Sequence, residues 1–134
     1  MGILPSERFN YEVWDEVVHS PCMGEVVYLE DGHEDLPPFT PGSGLGNYVV
    51  LKCVDNYFTL GSLRKGAFFV KVGDQVRLDQ FIGRVGNSAP GSFPHLHMHV
   101  TQGGWGADAT PVPVVFDTNY YEFRLFPRND VYVR

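Results

Sequence analysis

Residues 94–100 read Pro94-His-Leu-His-Met-His-Val100, and this stretch is the most informative part of the sequence for the fold. Histidine alternates with Leu, Met and Val, which is the period-two pattern of a β-strand with one polar and one apolar face. In such a strand His95, His97 and His99 share one face, with consecutive members about 6.6 Å apart along the backbone. Because two imidazoles at this spacing can converge on one zinc ion, the pattern predicts a candidate metal-binding strand. The alternative is three histidines that are hydrogen bonded to their surroundings and hold no metal.

The rest of the chain has the composition of many short strands. Its 15 glycines and 10 prolines separate short segments rich in Val, Phe and Tyr, and no segment has the periodicity of a long helix. We therefore predict an all-β fold, with an antiparallel sheet folded into an open sandwich or barrel-like roll. The predicted strands are Tyr11–His19, Glu25–Glu30, Tyr48–Cys53, Tyr57–Leu60, Phe68–Lys71, Gln80–Val85, His97–Thr101 and Val112–Phe116, with another in the tail from Tyr120. The Pro/Gly/acid-rich stretch between Leu29 and Tyr48 is predicted to be a surface loop.

Size, charge and cysteine content limit the classes of function. A chain of 134 residues fits one domain, so we expect residues 1–134 to form a single unit. A net charge of −6 opposes nucleic-acid binding, and no run of 18 apolar residues provides a membrane span. Cys22 and Cys53 permit at most one disulfide and leave the redox compartment open. The chain as written has no secretory signal, so we expect a cytoplasmic location, or the cell envelope if the chain is a fragment.

Four blocks follow one another along the chain, and their order is informative. They are Gly46-Asn-Tyr-Val-Val-Leu51, Tyr57-Phe-Thr-Leu60, the stretch from Val70 to Ser88, and the stretch from Pro94 to Thr101. Together they resemble the lysostaphin-type (LytM-like) zinc metallopeptidases, which cut peptide cross-links in bacterial cell walls. The resemblance runs from about Val17 to Phe116 and leaves the tail 118–134 outside. It implies an all-β, duplicated-hybrid-like fold, a zinc cofactor and a peptidoglycan substrate.

The resemblance also assigns roles to the histidines. It implies a zinc ion held by an upstream His, an Asp four residues after it, and the second His of the His-x-His pair, which here is His97. The first His of the pair, His95, then assists catalysis, and His99 is a weaker candidate ligand. A further catalytic His is expected in a Tyr-x-His-Leu block, but the matching stretch Leu60-Gly-Ser-Leu63 has Ser62 in its place. The upstream pair is expected within residues 1–10, which contain neither His nor Asp.

These departures favour a protein that has kept the groove and lost turnover. Loss of a positioned acid or base alone typically costs about 10²- to 10⁴-fold in rate, and we expect zinc to bind weakly or not at all. The first hypothesis is therefore a degenerate peptidase-like domain that binds a peptide, a cell-wall fragment or a protein partner. The alternative is an active zinc-dependent cell-wall endopeptidase, with ligands supplied by a missing upstream segment or by substitutes. The candidate substitutes are His99, Glu7, Glu12, Asp15, Cys22 and Cys53, although a core position is the more frequent role of a cysteine such as Cys53.

Other features carry weaker predictions. Asn87 and Ser88 precede the histidine strand and are candidates for contact with an extended peptide, unless they simply form a turn. Four aromatic residues fall in loops or the tail, where their rings can line a groove or stack on sugar, although packing is the commoner role: Trp105, Phe93, Tyr120 and Tyr121. His19 and His33 are expected to be structural or solvated. The stretch from Val70 to Gly83 also resembles biotinyl and lipoyl carrier domains, but no lysine lies at the hairpin tip that a carrier requires.

Overall fold

The computed structural model describes residues 13–91 and 93–113, which form two antiparallel sheets. The strands are β1 (Val17–His19), β2 (Gly24–Glu30), β3 (Asn47–Cys53), β4 (Asn56–Leu63), β5 (Gln75–Val76), β6 (Phe81–Arg84), β7 (His97–Gln102) and β8 (Thr110–Val112). The larger sheet has the order β5-β2-β3-β4-β7-β8, and β1 pairs with β6 in the smaller one. The predicted all-β antiparallel fold is confirmed. No helix in the described part of the chain is long and apolar enough to cross a membrane.

One hydrophobic core joins the two sheets. Apolar residues alternate along β3, β4 and β7, so one face of the larger sheet is apolar and packs toward the smaller sheet. Burying each Val, Leu or Ile side chain contributes roughly 1.5 to 3 kcal/mol, which makes this face the main source of stability. The core cluster consists of Val18, Val26, Val49, Leu51, Cys53, Leu60, Leu63, Val70, Val76, Ile82, Val85, Leu96 and Met98.

A disulfide between Cys22 and Cys53 connects the start of β2 to the end of β3. Cys53 is 7% exposed and belongs to the core cluster, as its core interpretation expects. The backbone is tight here, since a Cβ on Gly24 would lie 2.1 Å from the carbonyl oxygen of Lys52. Paired cysteines offer no thiolate to a metal, so the hypothesis that they substitute as zinc ligands is wrong.

A buried asparagine anchors the long loop that follows β2. Asn47 is fully buried, and its Oδ1 accepts hydrogen bonds from the N–H groups of Gly32 (2.9 Å) and His33 (2.8 Å). Its Nδ2 donates to the carbonyl oxygens of His33 (2.8 Å) and Leu63 (3.1 Å). The hydroxyl of Ser88 accepts from the Asn47 N–H (2.9 Å) and donates to the Leu63 carbonyl (2.6 Å). We call this set of bonds the Asn47 cluster. It ties the predicted surface loop to the sheet.

One predicted strand does not form. Phe68–Lys71 has a strand-like composition but is a bend, and the Phe69 N–H donates to the Ile82 carbonyl at 2.9 Å. The chain then turns, with the Asp74 N–H donating to the Lys71 carbonyl at 3.1 Å. Because the segment runs beside β6 only briefly, it lacks the continuous ladder that a strand requires.

Strand ends differ from the prediction at both termini of the described chain. The first predicted strand shortens to β1 because the chain turns at Asp15, whose φ is +69°. Its first two residues, 11 and 12, lie outside the described residues. At the other end β8 begins two residues early, and residues 114–116 and the tail strand again lie outside. Strands β2, β3, β4, β6 and β7 match their predictions to within a few residues, whereas β5 has no predicted counterpart.

Candidate functional site

The histidine strand β7 lies beside β4 in the larger sheet. His97 pairs with Gly61, and His99 pairs with Thr59. The alternating residue Met98 is 3% exposed and belongs to the core, so His97 and His99 point to the opposite side of the sheet. We call this opposite side the groove face. Its other members are Tyr28, Tyr48, Val50, Tyr57 and Thr59, placed there by the registers of β2, β3 and β4.

Two of the three predicted histidines meet on the groove face. The Nε2 of His97 lies 3.0 Å from the Nδ1 of His99, and the two rings are nearly perpendicular, at 73°. A hydrogen bond between imidazoles requires one nitrogen that carries no proton. Burial lowers the pKa of His99, which favours its neutral form and is compatible with that bond. The sequence prediction that these side chains share one face therefore holds for this pair.

His95 lies just before β7 and outside its ladder. Its Nδ1 donates to the carbonyl oxygen of Phe93 at 2.7 Å, and its ring packs against the Phe93 ring at 5.6 Å between centroids. Because Nδ1 donates, Nε2 is the ring nitrogen left for contact with a ligand. The assignment of His95 as a catalytic residue remains a prediction.

Ser62 lies at the end of β4, one residue beyond the partner of His97. It is fully buried with φ +61°, the Ser62 N–H donates to the Leu45 carbonyl (2.8 Å), and the Ser62 carbonyl accepts from Gly86 (3.0 Å). Among the residues that the structure describes, its hydroxyl has no hydrogen-bond partner. The left-handed conformation costs a non-glycine residue about 1 to 2 kcal/mol, and an unpaired buried hydroxyl costs about 1 to 3 kcal/mol. A strained serine thus stands where the resemblance expects the second catalytic histidine.

The described residues do not complete a zinc site. Zinc in proteins takes three or four ligands from side chains such as His, Cys, Asp and Glu. Within residues 13–91 and 93–113, no group of three such side chains is arranged to hold a metal ion. Among the candidate substitutes, Asp15 pairs with Arg64 at 2.6 Å, and both cysteines are in the disulfide. Glu7 and Glu12 lie outside the described residues.

Asn87 and Ser88 are both buried and hold the loop after β2. The Asn87 N–H donates to the Asp35 carboxylate (2.9 Å), and its Nδ2 donates to the Leu36 carbonyl (2.8 Å). Ser88 belongs to the Asn47 cluster and lines a cleft beside it. Contact of either side chain with a peptide remains a prediction.

Sequence reasoning missed a hydrogen-bonded chain at one end of the groove face. The Tyr28 hydroxyl donates to Glu30 at 3.0 Å, and the Nε2 of His33 lies 2.6 Å from the same carboxylate. The bond to Glu30 raises the pKa of Tyr28 to about 12, while the bonds from His33 and then Tyr28 lower the pKa of Glu30. Glu30 is therefore anionic at neutral pH. The one available signal was the alternation in β2, which places Tyr28 and Glu30 on one side.

A cleft of about 560 Å³ opens beside this chain, between the loop after β2 and the start of β3. One wall carries the carboxylates and His33, and the other is loop backbone. The lining residues are Glu30, Gly32, His33, Glu34, Leu36, Ser43, Gly44, Leu45, Gly46, Tyr48, Ser88 and Pro90. The cleft is large enough for one or two residues of a peptide and is open to solvent.

A row of aromatic rings extends from this cleft across the groove face. Tyr28 stacks on Tyr48 with centroids 5.3 Å apart, and Trp105 lies 6.0 Å from Tyr28 and 5.5 Å from Tyr57. We call these four rings the aromatic strip. Trp105 comes from the loop after β7, yet it contacts rings on β2 and β4, so it lies over β3. Val50 on β3 is fully buried although it lies outside the core cluster, because the strip covers it.

An open two-sheet sandwich that carries a His-x-His strand on a grooved face defines the class of metallopeptidase-like β domains. The profile of peptidase family M23 matches residues 10–109, which is most of the chain. The chain therefore belongs to peptidase family M23. Comparison with curated proteins finds no match.

Several solved structures have similar folds. A mutant catalytic domain of the prophage-encoded M23 protein EnpA from Enterococcus faecalis is 22% identical, with a TM-score of 0.58 over 74% of this chain and 67% of that chain. The catalytic domain of the antimicrobial peptidase lysostaphin from Staphylococcus simulans is 23% identical, with a TM-score of 0.56 over 73% and 68%. LytU is 22% identical, with a TM-score of 0.56 over 73% and 62%. At these identities the likeness concerns the fold.

Proposed function

We propose that this chain is a catalytically degenerate M23 domain that binds a peptide stem of the bacterial cell wall in its groove without cutting it. The observation that carries the proposal is Ser62. Its hydroxyl is buried, unpartnered and held on a strained backbone, so it can neither accept nor deliver a proton at the groove face. A peptidase needs an acid or base at that position, whereas a binding domain does not.

The metal chemistry leads to the same proposal. A zinc ion supplies a bound water acidified toward neutral pH and polarises the peptide carbonyl. The described residues offer such an ion the adjacent rings of His97 and His99, which are already hydrogen bonded to each other. We therefore assign these histidines to ligand binding, in which imidazole N–H and acceptor nitrogens bond to peptide groups.

The cleft has the chemistry of a site for a peptide amine. Glu30 and Glu34 line one wall, and the pKa of both carboxyls lies below its ordinary value because each accepts a hydrogen bond, from His33 and Lys65 respectively. Both are therefore charged at neutral pH, and because Lys65 already pairs with Glu34 and His33 with Glu30, a peptide amine would share these carboxylates with them. Peptide stems of the cell wall carry free amines, and the similarity in fold to lysostaphin, an antimicrobial peptidase, supports a peptide as the class of ligand.

The disulfide indicates the cellular compartment in which the chain would encounter such a ligand. Disulfides persist in oxidising compartments and are rare in a reducing cytosol. The bond between Cys22 and Cys53 therefore favours the cell envelope over the cytoplasm. That compartment contains the peptidoglycan to which the proposed groove would bind.

The proposal is tested by histidine-detected NMR during titration of the purified chain with a soluble wall tetrapeptide. We expect the resonances of His97 and His99 to shift with saturable dependence on peptide, while those of His19, which lies in β1 of the smaller sheet, stay constant. The paired variants His97→Ala and His19→Ala provide the control, and only the first should weaken binding. Absence of any shift at millimolar peptide, or equal shifts at both sites, contradicts the proposal.

A further inference from the structure

The aromatic strip is the one large feature of the groove face that a bound peptide stem leaves unused. Its four rings form a continuous row, because successive centroids are 5.3, 6.0 and 5.5 Å apart. Trp105 is 37% exposed, and the tyrosines are partly exposed, so all four rings are accessible to solvent. A ligand that covers it must itself offer an extended, flat and apolar side.

The polar groups around the strip lie at its two ends. At one end Glu30 accepts the Tyr28 hydroxyl proton. At the other, Gln102 donates to Asn56 at 3.1 Å, next to the register partners Tyr57 and Thr101. The strip itself is uncharged. An apolar row with hydrogen-bonding groups at its margins suits a ligand that is apolar on its face and polar at its edges.

A pyranose ring in the chair form has this character, because its axial C–H groups make a flat apolar face while its equatorial hydroxyl and acetamido groups point outward. We propose that the aromatic strip is a carbohydrate subsite that stacks the amino-sugar rings of a glycan strand beside the peptide groove. The inference rests on the proposed function, since the glycan is the polymer to which wall peptides are attached. It adds a second ligand class on the aromatic strip, of which Tyr48 also lines the cleft.

A cationic ligand suits the strip less well. An ammonium group binds to the face of an aromatic ring, usually within about 6 Å of the centroid. The Nζ of Lys52 already lies 5.9 Å from the Tyr57 centroid, so one face holds a cation from the chain itself. An uncharged sugar is not repelled by the Lys52 ammonium and can stack on the other rings of the strip.

The loop that carries Trp105 is built to place the ring on the sheet. Gly103 and Gly104 both have positive φ, +80° and +113°, and a Cβ on either would meet nothing within 4 Å. Glycine is therefore required here by backbone conformation and not by crowding. Thr101 closes the loop by donating its hydroxyl proton to the Gly104 carbonyl at 2.5 Å. As a result, the Trp105 ring extends from the loop after β7 back across β3 on the groove face.

The test uses Trp105 as its own reporter. The chain contains two tryptophans, so Trp14→Phe leaves Trp105 as the only one. Titration of this variant with N-acetylglucosamine tetramer should shift and quench its emission in a saturable way. In the Trp14-containing chain, calorimetry should show that Trp105→Ala weakens tetramer binding about tenfold or more, that Trp105→Phe retains most of it, and that Phe81→Ala has no effect. Phe81 is a matched control because it is a comparably exposed ring, 50%, on the smaller sheet.

The same variants titrated with the wall tetrapeptide separate the two proposals. Peptide binding without sugar binding overturns the carbohydrate subsite and leaves the proposed function standing, whereas sugar binding without peptide binding does the reverse. Tetramer binding that survives Trp105→Ala also overturns the inference, because the sugar then lies elsewhere. An unchanged circular dichroism spectrum and melting temperature of Trp105→Ala verify that a loss of binding is local.

Discussion

Two buried polar regions lie side by side in the larger sheet and behave in opposite ways. In the Asn47 cluster, the amide oxygen of Asn47 accepts two hydrogen bonds and its amide nitrogen donates two. Next to the histidines, the hydroxyls of Ser62 and Thr59 are equally buried and have no partner. The two regions touch, since Asn47 pairs with Leu63 in the ladder between β3 and β4.

The difference separates scaffold from chemistry. Native proteins pair nearly all buried polar groups, and a group left unpaired is a cost that the fold alone does not explain. The Asn47 cluster, whose amide groups are all hydrogen bonded, holds the loop after β2 beside the groove face and contributes to stability. Ser62 stands where the resemblance places a catalytic histidine, Thr59 pairs with His99 in the ladder, and neither unpaired hydroxyl contributes stability. The chain keeps the fold of peptidase family M23, and Ser62 stands where the resemblance expects a histidine.

The largest expected effect on stability is in the Asn47 cluster. Asn47→Ala removes four side-chain hydrogen bonds at a fully buried position and leaves the N–H groups of Gly32 and His33 without an acceptor. We expect a loss of about 3 kcal/mol or more in the free energy of unfolding, measured by urea denaturation. The control is Asn56→Ala, whose side chain makes one exposed bond to Gln102 and should cost less than about 1 kcal/mol. Equal losses of stability in the two variants would contradict the claim that the bonds of the Asn47 cluster stabilise the fold.

At the unpaired hydroxyl of Ser62 we expect a substitution to increase stability. Ser62→Gly relieves the positive φ and removes the unpaired hydroxyl, so it should raise the free energy of unfolding by about 1 to 2 kcal/mol. Ser20→Gly is the matched control, because the buried Ser20 hydroxyl is bonded to the Cys22 carbonyl at 2.7 Å and its removal should destabilise. Thermal melts of both variants measure the signs. Destabilisation by Ser62→Gly would show that the serine is structural after all.

A smaller effect sharpens the comparison at Thr59. Thr59→Val keeps the shape of the side chain and deletes a hydroxyl that has no partner, so it should be neutral or stabilising by up to about 1 kcal/mol. Thr101→Val deletes a hydroxyl bonded to the Gly104 carbonyl and should destabilise by about 1 kcal/mol. Chemical denaturation resolves both. If Thr59→Val costs as much as Thr101→Val, the Thr59 hydroxyl has a partner in solution.

The smallest effect belongs to the exposed chain of Tyr28, Glu30 and His33. The hydrogen bonds from His33 and then Tyr28 lower the folded-state pKa of Glu30, so its contribution to stability is complete above the unfolded pKa. That contribution disappears as the pH falls through the lower, folded pKa. We expect the wild type to melt slightly above Glu30→Gln at pH 7, and the difference to vanish in acid once the pH lies below the lowered pKa of Glu30. A difference that persists unchanged in acid would contradict the pairing.

The sequence predicts most of the fold because the strands alternate. In β7 the period of two places His97 and His99 opposite Met98, and the structure has them so. The error at Phe68–Lys71 has a different origin. Strand composition reports what a segment tolerates, but a strand also needs a neighbour along its length, and that depends on how distant segments pack. His95 lies just before β7 and outside its ladder, where its Nδ1 bonds to the carbonyl oxygen of Phe93.

The site was predictable only in part. The sequence identifies Ser62 as a departure from the resemblance, but its burial and left-handed backbone depend on Leu45 and Gly86, which come from other parts of the chain. The aromatic strip was out of reach for the same reason. Its rings come from three strands and a loop, and no local pattern shows that Trp105 crosses the sheet to meet Tyr28. The tertiary fold creates both features.

Amine release from purified peptidoglycan sacculi tests whether this chain binds the cell wall without cutting it. The chain is equilibrated with zinc, incubated with sacculi beside His97→Ala and an active M23 peptidase, and then sedimented. We predict that the wild type sediments with the sacculi and releases no free amino groups above the blank, while the active peptidase does. Zinc-dependent release by the wild type that is lost in His97→Ala would contradict this account and make the chain an enzyme.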